Sequence, residues 1–207
     1  MTVTKITEIS KSRVQVMIDY EFAFVLYKGE LRIYHLKEGG EISEEAYREI
    51  METVLTKRAK LRAMNLLKSR SYTQKQLSEK LSAGGYPKEV TEAAIAYVSS
   101  YGYVDDRQYA KDFIEYRKDN KSRRQIVNAL MQKGISKQII EEVWEETSDG
   151  DEKNWEYEQI LTWIKKKNFN AAEATYEEKQ KFCAFLYRKG FQIDSIRSVL
   201  SLDITSI

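Results

Sequence analysis

Seven basic side chains stand against one acidic side chain in the stretch from Arg117 to Lys137. They are Arg117, Lys118, Lys121, Arg123, Arg124, Lys133 and Lys137, with Asp119 as the single carboxylate. Such a density suits attachment to an anion, either the phosphates of a nucleic acid or an acidic protein groove. Upstream, Lys68, Arg70, Lys75 and Lys80 form a second, looser basic group. The formal net charge of +2 hides a segregation: residues 53–146 carry 18 basic and 12 acidic side chains, and the rest of the chain carries 16 and 20. A middle section of net +6 between flanks of net −4 points to an anionic partner for the middle. Tyr72, Tyr101, Tyr103, Tyr109 and Tyr116 lie among these charges, and most of them are read as core or half-buried packing in preference to base-stacking platforms.

Catalytic constellations are missing. His35 is the sole histidine and Cys183 the sole cysteine, which leaves no zinc ligand set and no Cys–His dyad. No glycine-rich phosphate loop is present. Asp105 and Asp106 fall between a turn at Gly102 and a helix entering near Arg107, where carboxylates cap backbone N–H groups and favour the helix dipole. The expectation is a binding protein, not an enzyme, with no cofactor and no metal.

The elements that position these residues are mainly helical. One proline, nine glycines and 32% charged residues suit long helices better than a sandwich or barrel. No apolar run approaches the roughly 20 residues that a membrane span requires. The N-terminus lacks an apolar signal core, and a lone cysteine forbids an internal disulfide, so a reducing cytoplasm is expected.

A segment of the form apolar-x-x-x-Leu-x-x-x-Gly-apolar occurs three times: Leu77, Leu81, Gly85 and Tyr86; Ile126, Leu130, Gly134 and Ile135; Phe182, Leu186, Gly190 and Phe191. An apolar helical pattern precedes and follows each copy. The predicted unit is helix, helix, glycine turn, helix, with the glycine at positive φ ending the second helix. The acidic segment 147–152 reads as a linker that permits movement before the third copy. Ahead of the repeats, β-rich runs at 14–18, 22–27 and 31–36 predict a small antiparallel meander, followed by a helix over about 44–56 with Ser43 as its N-cap. The predicted architecture is mainly α, an elongated modular chain. It has a β-meander with helix at 1–56 and three-helix, helix-turn-helix-like repeats at 57–104, 105–147 and 153–207.

The stretch Tyr101-Gly-Tyr-Val-Asp-Asp-Arg-Gln-Tyr-Ala-Lys-Asp-Phe113, followed by Arg117, closely resembles the hallmark of the RecX family. Gly102, Tyr103, Asp105, Asp106, Tyr109, Ala110, Phe113 and Arg117 fit that pattern, most of them as structural residues. The resemblance extends over essentially the whole chain, including the three units with a weaker third copy. Two departures stand out: Lys121-Ser122-Arg123 replaces the family's usual Lys-Gly-Pro, and Tyr20 takes a hairpin position that is often glycine.

The resemblance implies a regulator, mainly an inhibitor, of the RecA recombinase that binds along the groove of the RecA filament on single-stranded DNA. It implies limited filament growth, ATP hydrolysis, strand exchange and coprotease activity, with a place in homologous recombination, DNA repair and the SOS response. The protein is expected to act as a monomer, away from membranes, with double-stranded DNA an open additional partner. The candidate contacts to DNA or filament are Lys68, Arg70, Lys75, Lys80, Arg117, Lys118, Lys121, Arg123, Arg124 and Lys133. Two other classes stay open: a helix-turn-helix-like DNA-binding protein acting without RecA, marked by sequence preference on naked DNA, and an inert helical scaffold.

Overall fold

The computed structural model describes residues 1–147 and 152–200. Strands β1 (Val3–Glu8), β2 (Arg13–Ile18) and β3 (Glu21–Tyr27) form one antiparallel sheet in sequential order. Strict alternation along β2 buries Val14, Val16 and Ile18 on one face. Asp19 and Tyr20 make the two-residue turn into β3, both left-handed at φ 48° and 70°. The Thr2 N–H donates to Asp19 Oδ1 at 2.9 Å and the Tyr20 N–H to Thr4 Oγ1 at 3.0 Å, which holds a tyrosine where glycine is the easier choice.

The sheet corrects one expectation. Residues 31–36 are not its third strand. Lys28–Ile33 is a short helix, α1, entered through a capping interaction in which the Tyr27 N–H donates to Glu30 at 2.8 Å. It ends at His35, in the left-handed region, where the Leu36 N–H reaches Leu31 O at 2.8 Å and Leu36 is buried. The missing strand is β1, whose sequence VTKITE shows little apolar alternation.

Ser43 accepts a hydrogen bond from the Ala46 N–H at 3.1 Å and opens α2 (Glu44–Arg48). The helix continues through a π-helical stretch, Glu49–Leu55, into α3 (Thr56–Leu67) without a cap between them. The Thr56 hydroxyl donates to Met51 O at 2.8 Å across the wide turn. The border expected at residue 56 therefore falls inside a continuous helix.

The remaining helices are α4 (Gln74–Ser82) and α5 (Lys88–Ser100); α6 (Asp106–Arg117), α7 (Arg123–Gln132) and α8 (Lys137–Thr147); then α9 (Glu152–Lys166), α10 (Tyr176–Arg188) and α11 (Ile193–Leu200). The repeat turns are as the sequence predicts. Gly85, Gly134 and Gly190 have φ of 88°, 92° and 94°. In each turn the next residue's N–H reaches back five residues: Tyr86 to Leu81 at 3.3 Å, Ile135 to Leu130 at 3.2 Å and Phe191 to Leu186 at 3.3 Å. That bond satisfies a carbonyl the helix end would otherwise leave open, and folds an apolar side chain back over the finished helix.

The chain divides into two compact units, Met1–Asp105 and Asp106–Ile207. In the first, sheet and repeat share one core, in which Phe24, Leu26, Ile50, Leu55, Leu77 and Leu81 are fully buried. The second has two clusters, one around Ile126, Leu130 and Ile140, the other around Ile160, Leu186 and Ile196. Trp144 and Trp155 meet edge-on at 5.4 Å between them. Most of the acidic linker expected at 147–152 lies outside the described residues, between the end of α8 and the start of α9.

Gly85 carries a second constraint. A Cβ there would lie 2.4 Å from Val25 Cγ2, so the first repeat's turn sits directly on β3. Gly102, also left-handed at φ 70°, has nothing within 4 Å of the same position. Alanine at either site meets the left-handed penalty, and only Gly85→Ala adds overpacking. Gly85→Ala is therefore expected to cost about 1–3 kcal/mol more than Gly102→Ala in urea denaturation. Equal costs would mean that the turn does not press on the strand in solution.

Candidate interaction surfaces

The basic residues of residues 117–137 do not form one patch. Arg123, at the first turn of α7, pairs with Glu141 on α8 and stacks its guanidinium 5.2 Å from the Trp144 ring. Its side chain is only 27% exposed, so it holds α7 to α8 and offers little to a partner. Lys133 lies 5.7 Å from the Tyr109 ring and 5.6 Å from the Phe113 ring, closing α7 over α6. Lys118 pairs with Glu115 at 2.8 Å.

Arg117 and Lys121 are brought together. Both are exposed and line a groove beside α6 and α7 with Phe113, Gln125, Asn128 and Gln132. The Arg117 guanidinium sits 5.1 Å from the Tyr116 ring and 5.7 Å from the Phe113 ring. No carboxylate is among the described lining residues. Two cations and three carboxamides can bind phosphate or sugar oxygens and have no general base to offer a reaction. Arg124 lies apart from them, on a cleft that it shares with Tyr187, Phe191 and Gln192 of the third repeat.

In the first unit the basic residues are spread out. Lys68 caps the C-terminus of α3 and lines a shallow depression with Met64, Leu67 and Tyr103. The Arg70 guanidinium stacks 4.4 Å from the buried ring of Tyr72. Lys75 is 4.0 Å from Glu79 on α4, and Lys80 is exposed in the last turn of the same helix.

The motif residues divide. Ala110 is fully buried, Tyr109 and Phe113 are half-buried and stacked at 6.4 Å, and Asp106 begins α6 with Asp105 just before it. Tyr101, Tyr103 and Tyr116 depart from the packing role read for them: they are 62%, 58% and 76% exposed.

Several contacts had no signal in the sequence. Arg107 of α6 pairs with Glu142 at 2.7 Å and with Glu146, both on α8. A hydrogen bond from Gln138, then the one from Arg107, holds the Glu142 carboxyl below its usual range, and the same carboxylates raise Arg107. Glu156, buried on α9, accepts from the Gln192 N–H at 2.9 Å and the Ser195 hydroxyl at 2.6 Å, capping α11. Ser122 caps α7 and donates to Lys189 O at 2.8 Å. A Cβ at Gly190 would stand 2.6 Å from that serine oxygen, so the third repeat's turn rests on the second repeat's helix entry.

Among the described residues no cluster of three or more His, Cys, Asp or Glu could hold a metal ion, and no helix is long and apolar enough to cross a membrane. The fold is a series of three-helix units that follow an N-terminal sheet along the chain, with basic side chains lining a groove in the second unit. Three family models match the repeats in order: the first, second and third three-helix domains of RecX, over residues 59–97, 105–143 and 155–200. The regulatory protein RecX of Caldanaerobacter subterraneus subsp. tengcongensis is 34% identical over 204 residues, which cover 98% of this chain and all of that protein. The regulatory protein RecX of Clostridium botulinum strain Alaska E43 is 32% identical over 207 residues, covering 97% and 94%. A crystal structure of regulatory protein RecX superposes with a TM-score of 0.61 at 20% identity, over 98% of this chain and 99% of that one. That of RecX from Lactobacillus salivarius gives 0.60 at 18% identity, over 72% and 96%. The chain belongs to the RecX family of regulatory proteins.

Proposed function

We propose that this protein regulates the RecA recombinase by binding along the RecA–single-stranded DNA filament and limiting its growth. ATP hydrolysis, strand exchange and coprotease activity fall as a consequence. It acts as a cytoplasmic monomer without catalysis of its own. Family membership supports the choice of RecA as partner. The observation that carries the mode of binding is the groove of Arg117 and Lys121, with no carboxylate among its described lining residues and flanked by the amides of Gln125, Asn128 and Gln132. Such a groove can take phosphate oxygens from the DNA or acidic side chains from the filament wall.

The test is ATP hydrolysis by preformed RecA filaments, titrated with this protein while single-stranded DNA stays in excess. Inhibition far below one molecule per RecA is the expected result. Inhibition that appears only when DNA is limiting would replace this reading with plain competition for DNA, the helix-turn-helix-like alternative.

A further inference from the structure

The turn that closes α5 repeats the geometry of the three repeat turns, with one difference. Gly102 is left-handed, its N–H reaches Ser99 O at 2.9 Å and the Tyr103 N–H reaches Val98 O at 3.0 Å. At the same place in the other glycine turns, Ile135 and Phe191 are buried and Tyr86 is half-buried. Tyr103 alone among them is left 58% exposed. The turn does not use its ring, because Val104 supplies the buried apolar contact one residue later.

The exposed ring has company. Tyr97, half-buried on α5, and Tyr101, the residue that caps the end of that helix, have centroids 5.0 Å apart, and Tyr101 lies nearly parallel to Tyr103 at 6.0 Å with 17° between planes. Tyr101 is itself 62% exposed. The neighbouring helix α3 carries Lys57, Lys60 and Arg62, besides Arg58, which pairs with Glu30 and stacks on Tyr27, and no acidic residue. Lys60 places its ammonium 4.6 Å from the Tyr97 ring, and Lys68 lines the depression beside Tyr103 with Met64 and Leu67. The exposed Tyr101 and Tyr103 rings offer flat faces to a partner, and the cations beside them, Lys60 over the Tyr97 face and Lys68 next to Tyr103, attract an anion. Nucleobases on a phosphate backbone answer both features: each base offers a π-face to a ring, and each phosphate a charge to a lysine.

We propose that Tyr97, Tyr101 and Tyr103, with Lys60 and Lys68, form a stacking platform for the unstacked bases of single-stranded nucleic acid. This deepens the filament reading, on which its biological setting rests, by giving the first unit a DNA contact distinct from the Arg117–Lys121 groove. The platform is indifferent to base identity and selects single strands, since the stacked base pairs of a duplex cover one another's faces.

The experiment measures affinity of the full chain for a fluorescein-labelled oligothymidylate by anisotropy over a salt series. Tyr101→Ala and Tyr103→Ala are each expected to weaken binding by about fivefold to a hundredfold with the salt slope unchanged. Lys68→Ala is expected to lower the slope by about one. Tyr101→Phe and Tyr103→Phe keep wild-type affinity, because the ring and not the hydroxyl does the binding. An oligonucleotide of equal length built of abasic sites binds the wild type as weakly as the normal oligonucleotide binds the double alanine variant, Tyr101→Ala with Tyr103→Ala. Circular dichroism confirms that the variants are folded. Wild-type affinity in the double alanine variant, or equal wild-type affinity for abasic and normal strands, overturns the platform. If wild-type protein still arrests RecA ATP hydrolysis with DNA in excess, that failure leaves the filament reading standing. If the hydrolysis assay fails while stacking holds, only the RecA setting is lost.

Discussion

Leu81→Ala and Leu130→Ala are each expected to destabilise the protein by about 2–5 kcal/mol. Both leucines are 0% exposed and each provides the carbonyl that closes its repeat's glycine turn. Alanine keeps that backbone bond, so the loss reports packing alone. Leu81 sits in the larger core, where sheet and repeat are merged and buried side chains from both surround the site, which hinders collapse around a void. Leu130 sits in a smaller cluster edged by half-buried Tyr109, Phe113 and Val127, which can relax inward. The Leu81 variant should therefore fall at the upper end of the range and the Leu130 variant at the lower. Urea denaturation followed by circular dichroism gives the total. The fluorescence of Trp144, Trp155 and Trp163, all in the second unit, follows Leu130→Ala directly. An unchanged midpoint for either variant would remove that leucine from the core.

Replacing Arg117 and Lys121 together by alanine is expected to weaken binding to the RecA–DNA filament by on the order of tenfold to a hundredfold, uniformly across DNA sequences. If both side chains meet phosphates, the slope of log affinity against log salt also falls by roughly two. Both are exposed and line one groove, so the fold should be unaffected. Arg123→Ala is the contrasting variant. It breaks the Glu141 pair and removes the cation from the Trp144 face, so it lowers the melting temperature more than it lowers affinity. Wild-type affinity and wild-type salt slope in the Arg117, Lys121 double variant would take the groove out of the interface. A slope unchanged with weakened affinity would assign the two cations to acidic groups on the protein partner.

The parts of this protein that are legible in its sequence are those set by short-range rules. An apolar spacing of four with a glycine beyond it specifies a helix and its stop, because the left-handed turn, the reach-back hydrogen bond and the folded-over apolar residue all lie within six residues. Ser43 and the start of its helix are readable for the same reason. The third strand is not. Residues 31–36 have β-forming side chains, yet Glu30 caps a helix there, while Val3–Glu8, unremarkable in composition, pairs with β2. Strand pairing is decided by which edge is left open, and propensity carries no record of edges.

The charged and aromatic residues show the same division. A basic cluster along residues 117–137 is evident from counting, as is its preference for an anion. Only tertiary contacts separate Arg123, locked against Glu141 and Trp144, from Arg117 and Lys121, which share an open groove. Tyrosine is at home in a core or on a surface, so composition could not say that Tyr72 is buried while Tyr101 and Tyr103 stand in solvent. By itself the sequence determined the repeat, its turns, its family and the sign of its charge, because local geometry and residue type suffice for those. Which cations and rings remain available to a partner was decided only when the helices packed, since availability depends on neighbours that lie far away along the chain.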